Sequence, residues 1–176
     1  LTTYPNEGFE ASFIPFIKKI DDFHAKVNSN FNKNVSFIEN GDSIKTLQEL
    51  LVKFKGKPIL VDFWFSTCGP CVSNFQRFGK DLEKFTVQND ITLLCVSIDK
   101  EQEQWHTAIK YYKIGGKHIK ACQSLHEDIY KTHNVHIFPH YMLVGSDGKI
   151  LINRLKDLSE HDNFYNQIYD ALAKEE

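Results

Sequence analysis

The sequence lacks an excess of either charge, lacks any long apolar run, and has few cysteines. Each shortage excludes something. Twenty-one Lys and Arg against 23 Asp and Glu leave a net charge of −2 over 176 residues. That balance gives no electrostatic case for nucleic acid or for an anionic membrane surface as a partner. No apolar run reaches the ~18 residues that a membrane-spanning helix needs. No signal peptide is visible. The chain opens on Leu1 rather than Met, so an upstream signal, membrane anchor or extra domain stays an expectation and the compartment stays open. Four cysteines are too few for a disulfide-dense mini-protein. Internal repeats and low-complexity tracts are missing.

What is present suits one globular domain with an appended segment. Hydrophobic residues make up 41% and charged residues 25%, enough to bury a core without disulfide staples. Aromatics reach 13%, including 14 Phe. With no basic patch beside them, these rings are expected in a core or along a groove.

Residues 1–34 differ from the rest. In "SFIPFIKKIDDFHAKV", Phe13, Phe16, Ile17, Ile20, Phe23 and Val27 recur at helical spacing. Pro15 is expected in the first turn of that helix. The polar "NSNFNKN" follows as a loop. From Val35 onward strands and helices alternate. "VSFI" predicts a short edge strand. "GDSIKTLQELLVKF" predicts a helix capped by Asp42 or Ser43. "KPILVDFWF" is nearly continuous and apolar, as a strand covered on both faces should be. A helix is expected over residues 68–87, a buried strand at "ITLLCVSID", then helices at "EQEQWHTAIKYY" and "SLHEDIYKTH". "HYMLVGSDGKILINR" predicts a hairpin around "SDGK", and a Ser-capped amphipathic helix closes the chain. The expected order is β-α-β-α-β-α-α-β-β-α. This is an α/β fold with a central mixed β-sheet flanked by helices.

Cys68 and Cys71 stand three apart at the junction between a buried strand and a helix. Three roles are open: a metal clamp, a structural staple or a redox centre. A structural zinc site usually draws on a second close pair, and Cys95 and Cys122 are 27 positions apart. A three-residue loop constrains little of the unfolded chain. The junction itself suits redox chemistry. A helix N-terminus carries unpaired N–H groups and partial positive charge, which favour a thiolate at Cys68. Cys71, one turn on, could resolve a mixed disulfide. Gly69 permits close approach, and Pro70 is tolerated in a first turn.

At these residues the chain resembles the thioredoxin superfamily. "ILVDFW…CGPC" is similar to the thioredoxin active-site strand and motif. "HIFPHYMLVGSDGKI" resembles the superfamily's cis-proline segment and closing hairpin. The resemblance runs from about Val35 to the C-terminus. It implies a thioredoxin-like domain over 35–176 with an N-terminal helical extension or linker over 1–34. Cys71 and Pro139 lie 68 positions apart, more than in plain thioredoxin. The longer spacing, the helix ahead of the core and "GSDGKI" resemble the TlpA/ResA/DsbE branch of bacterial extracytoplasmic thiol-disulfide oxidoreductases. Three positions depart from the pattern. Thr67 stands where thioredoxins carry Trp, Asn74 and Gln76 where the branch often has Glu and Pro, and Phe138 where Thr or Ile is usual before the proline.

The resemblance assigns roles. Cys68 would be the nucleophile, Cys71 the resolving thiol and Asp62, buried in the strand, the proton acceptor. An alternative for Asp62 is a structural pairing with a lysine such as Lys57. Phe138 and Pro139, with Gly69 and Pro70, would hold an extended substrate segment as a short added strand. Partners would be protein disulfides or dithiols and an upstream thiol electron donor, with no cofactor beyond the two thiols and no metal. The Gly-Pro dipeptide points to a reductase. The rival readings are a copper- or metal-delivery protein using Cys68, Cys71 and a nearby histidine, and a redox-inert docking module. His133, His136 and His140 are the histidines near the presumed site, two of them expected on one strand side, with His140 able to touch substrate or tune Cys68. Trp64 and Cys95 are expected in the core, and Cys122 nearer the surface.

Overall fold

The computed structural model describes residues 7–175. Six strands form one mixed sheet: β1 (Val35–Phe37), β2 (Ile59–Trp64), β3 (Thr92–Ser97), β4 (Gly116–Lys120), β5 (His140–Val144) and β6 (Ile150–Ile152). Their spatial order is β1-β4-β3-β2-β5-β6. β1, β4, β3 and β2 run parallel, and β5 and β6 are antiparallel to their neighbours. Every residue of β2 is buried, because β2 is central and covered on both faces.

Helices flank the sheet. α3 (Gly69–Gln88), α4 (Gln102–Tyr112) and α6 (Asp162–Leu172) cover one face, where Leu82, Trp105, Ile109, Phe164 and Ile168 pack on Leu60, Trp64, Leu93 and Leu143. α2 (Leu47–Val52) and α5 (Gln123–Lys131) cover the other, with Leu47, Leu50, Leu51, Leu125 and Ile129 against Ile59, Val61, Phe63, Leu94 and Val96. Alternate residues of β2 therefore serve two separate cores.

Five local expectations need correction. The closing helix α6 has His161 and not a serine at its N-cap, and Ser159 lies in a 3-10 turn ahead of it that Asp157 caps. The α–α succession is α4-β4-α5. β4 is written "GKHIK", and only His118 and Ile119 of it are buried, so no apolar run advertises it. His118 is a neutral core group: burial lowers its pKa to about 4, and Nε2 meets the Ile114 carbonyl at 3.1 Å. α2 is short. Its N-cap is Thr46, whose hydroxyl accepts from the Glu49 N–H at 3.2 Å, while Asp42 and Ser43 sit in a preceding 3-10 turn. α1 (Glu7–Val27) starts well ahead of Pro15, which lies inside it rather than in its first turn, at the loss of one helical hydrogen bond. The apolar stripe of α1 meets the domain mainly at its end, where Phe23 contacts Tyr111 of α4 at 5.4 Å between ring centroids. Phe16 and Ile17 remain exposed.

Candidate active site

Cys68 is the N-cap of α3. Its backbone is extended, and its Sγ accepts the Cys71 N–H at 3.2 Å. The two cysteines form a disulfide with their Cα atoms 5.3 Å apart. Both are largely covered, Cys68 at 4% exposure and Cys71 at 1%, so the difference in depth is small. Gly69 and Pro70 are exposed beside them. A Cβ on Gly69 would meet nothing within 4 Å, so open space lies beside Gly69. Once reduced, the Cys68 sulfur would face a helix N-terminus, which stabilises a thiolate.

A clamp that the sequence did not reveal fixes the loop before Cys68. Asp99, at the end of β3, accepts from the Ser66 N–H at 3.0 and 3.1 Å and from its hydroxyl at 2.6 Å. The Ser97 hydroxyl donates to the same carboxylate at 2.7 Å and accepts the Asp99 N–H at 2.9 Å. Ser-x-Asp directly after a buried strand was the available signal, hidden because each residue alone looks like an ordinary loop polar group.

Asp62 lies on β2 between Leu60 and Trp64, on the face toward α3. Across the sheet its neighbours are Cys95 of β3 and Tyr141 of β5. It is 1% exposed, and neither carboxyl oxygen has a hydrogen-bond partner among the described residues. Burial, and secondarily the charge of Asp157, push its pKa well above the usual carboxylate range. Lys57 is not its partner. That lysine pairs at the surface with Asp90. Asn74 stands behind Asp62's neighbours, its Nδ2 donating to the Tyr141 hydroxyl at 3.3 Å and to the Asp157 carboxylate at 3.4 Å. Burial, and then Asp62, raise the Tyr141 phenol. The Cys95 thiol is likewise pushed up by burial and then by Asp62, and it donates to the Gly115 carbonyl at 3.6 Å.

The Phe138–Pro139 peptide is cis, directly before β5. Phe138 packs against both cores and meets Phe65, from the loop before Cys68, edge to face at 5.4 Å. Trp64 is fully buried against Phe75. The histidines separate instead of sharing one strand side. His140 alone is on a strand, buried on the side opposite Asp62, with Nε2 on the Asn153 carbonyl at 2.7 Å and its ring on Phe63. Burial lowers its pKa. His133 faces Asp128 and His136 packs on Tyr130. Among the described residues no three His, Cys, Asp or Glu side chains are grouped to hold a metal ion. Cys122 is half-buried at the start of α5 and donates to the Ile44 carbonyl at 3.2 Å.

Residues 56–150 match the Thioredoxin-like family, and the chain belongs to it. The thioredoxin domain of a thiol-disulfide oxidoreductase from Bacteroides vulgatus is similar at 31% identity, over 68% of this chain and 82% of that one, with a TM-score of 0.58. A DsbE-type thiol:disulfide interchange protein from Chlorobium tepidum shares the fold at 18% identity, over 69% of this chain and 84% of that one, with a TM-score of 0.55. A chloroplastic thioredoxin-like protein, CITRX2 of Nicotiana benthamiana, is 33% identical over 61 residues, 35% of this chain. That match spans only 32% of the curated relative's length. The expected thioredoxin-like fold is thereby shown, and the Bacteroides neighbour is described as a thiol-disulfide oxidoreductase.

Proposed function

We propose that this chain is a protein-disulfide reductase that exchanges disulfides with partner proteins through Cys68 and Cys71. The observation that carries the reading is the Cys68–Cys71 pair at the N-terminus of α3, with the Cys68 sulfur on a helix-terminal N–H. In the reduced enzyme the Cys68 thiolate attacks a partner disulfide. One partner sulfur leaves as a thiol, and a mixed disulfide forms. Cys71 gives its proton to the Asp62 carboxylate and attacks Cys68. The second partner thiol leaves, and the Cys68–Cys71 disulfide is restored. Two electrons have passed to the partner. An upstream thiol donor must return them, and the two thiols need no further cofactor. Phe138 and Pro139, with Gly69 and Pro70, form the surface on which the partner segment lies as an added strand. Residues 1–34 serve as a helical extension leading to a domain over 35–176. By likeness to the branch, the site of action is extracytoplasmic, in the periplasm or tethered to face it.

The reductive direction rests on the Gly-Pro dipeptide shared with thioredoxin, whose potential is about −270 mV. The metal-delivery reading has no comparable support, because His133, His136 and His140 go to separate partners. The test is trapping. Cys71→Ser should accumulate a dithiothreitol-sensitive mixed disulfide with substrate protein, and Cys68→Ser should accumulate none. Equal trapping by both variants would overturn the assignment of nucleophile and resolving thiol.

A further inference from the structure

Asp62 is reached by a cavity that does not open at the disulfide. About 310 Å³ in volume, it lies between α3, α4 and the end of α1, and it is lined by Asp62, Cys95, Gly79, Leu82, Tyr112 and Lys113 among others. Lys26, Lys80 and Glu83 also border it. The three lysines are exposed, while Asp62 and Cys95 are buried, so the space runs from a charged surface to the unpartnered carboxyl. It is far larger than the ~30 Å³ share of one water, and polar groups stand at both ends, the conditions for holding ordered water. Gly79 adds an independent observation. It is in the middle of α3, where glycine weakens a helix relative to alanine, and a Cβ built there would meet nothing within 4 Å. Gly79 lines the cavity and the space beside it is open, so a larger side chain there has room to fill it.

We propose that this lateral cavity is the proton-exchange route of Asp62, kept open by Gly79. The inference rests on the proposed reductase cycle. In that cycle the partner covers the disulfide surface while the mixed disulfide stands. Asp62 takes the Cys71 proton during resolution and must lose it before the next turnover. The disulfide surface is closed to water until the partner dissociates, and the side cavity is open throughout. The proton passes from Asp62 through cavity water to solvent beside Lys80 and Lys113. No redox change accompanies this step.

The test uses the full chain with Gly79→Leu and Gly79→Met as two plugs of different shape, and Gly79→Ala as the control that leaves most of the space open. All three replace a helix-interior glycine, and a melting curve identifies any variant that fails to fold. Single-turnover kinetics with insulin as the disulfide substrate separate formation of the mixed disulfide from its resolution. The expected result is wild-type formation rate and reduction potential in all folded variants. The first resolution is also unchanged, but multiple turnover with excess dithiothreitol slows at least about tenfold in the plugged ones, as a hindered proton transfer should, and carries a larger solvent isotope effect. Multiple turnover at the wild-type rate in a folded, plugged variant would overturn the proposal, as would a slowed first resolution or an equal slowing in Gly79→Ala. If the wild type itself reduces no insulin, the reductase reading fails first. A wild type that turns over beside unimpaired plugged variants fails only the cavity route.

Discussion

The two faces of the sheet are built to different standards. On the α2/α5 side, Ile59, Val61 and Phe63 of β2 meet Leu94, Val96, Met142 and Val144 in a core that is nearly all hydrocarbon. Its one buried histidine, His140, has its Nε2 on a carbonyl, while its Nδ1 is without a partner among the described residues. On the α3 side, one residue along the same strand, Leu60, Asp62 and Trp64 share their core with two cysteines in a disulfide, a third thiol at Cys95 and the Tyr141 hydroxyl. Asp62 and the Trp64 indole N–H have no hydrogen-bond partner there among the described residues. Unpaired buried polar groups are costly. A chain able to build the first face could have built the second in the same way. Among the described residues most of the unpartnered buried atoms lie on the face that holds the thiols, Asp62 with both of its oxygens, the pattern expected when a polar group is retained for chemistry instead of stability.

The largest expected effect that would break this contrast comes from Asp62→Asn. It keeps the shape and removes the carboxyl's ability to take a proton, so resolution of the mixed disulfide should slow by about 10²–10⁴, read by single-turnover kinetics. Its effect on stability should run the other way. The folded pKa of Asp62 is raised, so its charge penalty is absent below the unfolded value of about 4 and grows as pH rises toward the folded value. Denaturant titrations of oxidised protein should show the wild type losing ground to Asp62→Asn as pH rises from about 4, by about 1.4 kcal/mol for each unit of pKa difference. Parallel stability curves would mean that Asp62 is satisfied in a way the geometry does not record.

Leu51→Ala probes the opposite face. Leu51 is fully buried, and the truncation should cost about 2–5 kcal/mol while leaving the reduction potential and the rate of resolution unchanged. A shift in potential would show that the two faces are coupled. The smallest effect is expected from Asp99→Asn, which weakens charge-assisted bonds to Ser66 worth about 1.5–3 kcal/mol each when intact. Hydrogen exchange at the Ser66 amide should speed up, with little change at β2 amides on the far side of the strand.

Legibility in the sequence followed the same divide. The apolar face, with its run "ILVDFWF", its Leu and Ile spacing in α2 and α5 and its hairpin, was readable because hydrophobic periodicity is local. The Cys68–Cys71 junction was readable because strand, motif and helix follow one another in the chain. β4 was not, since two lysines, a glycine and a histidine masked a strand that pairs with residues far away in sequence. The Thr46 cap was passed over for the earlier Asp42 and Ser43, because several capping residues compete in that stretch. The Asp99 clamp and the Asn74–Tyr141–Asp157 contacts join residues 33, 67 and 83 positions apart, and no local pattern announces such pairs. The histidines misled for the converse reason. "HNVHIFPH" is compact in sequence, yet the cis Phe138–Pro139 peptide lies between its members, and only His140 reaches a strand.

The central claim is that the face holding the polar groups is a reversible dithiol–disulfide centre working as a reductant. The direct measurement is the reduction potential of the Cys68–Cys71 pair, titrated against a dithiol buffer with metals chelated. The account predicts a reversible two-electron couple near or below about −250 mV, close to the thioredoxin range. A value near −120 mV, that of a strong oxidant, or no reversible couple, would contradict it.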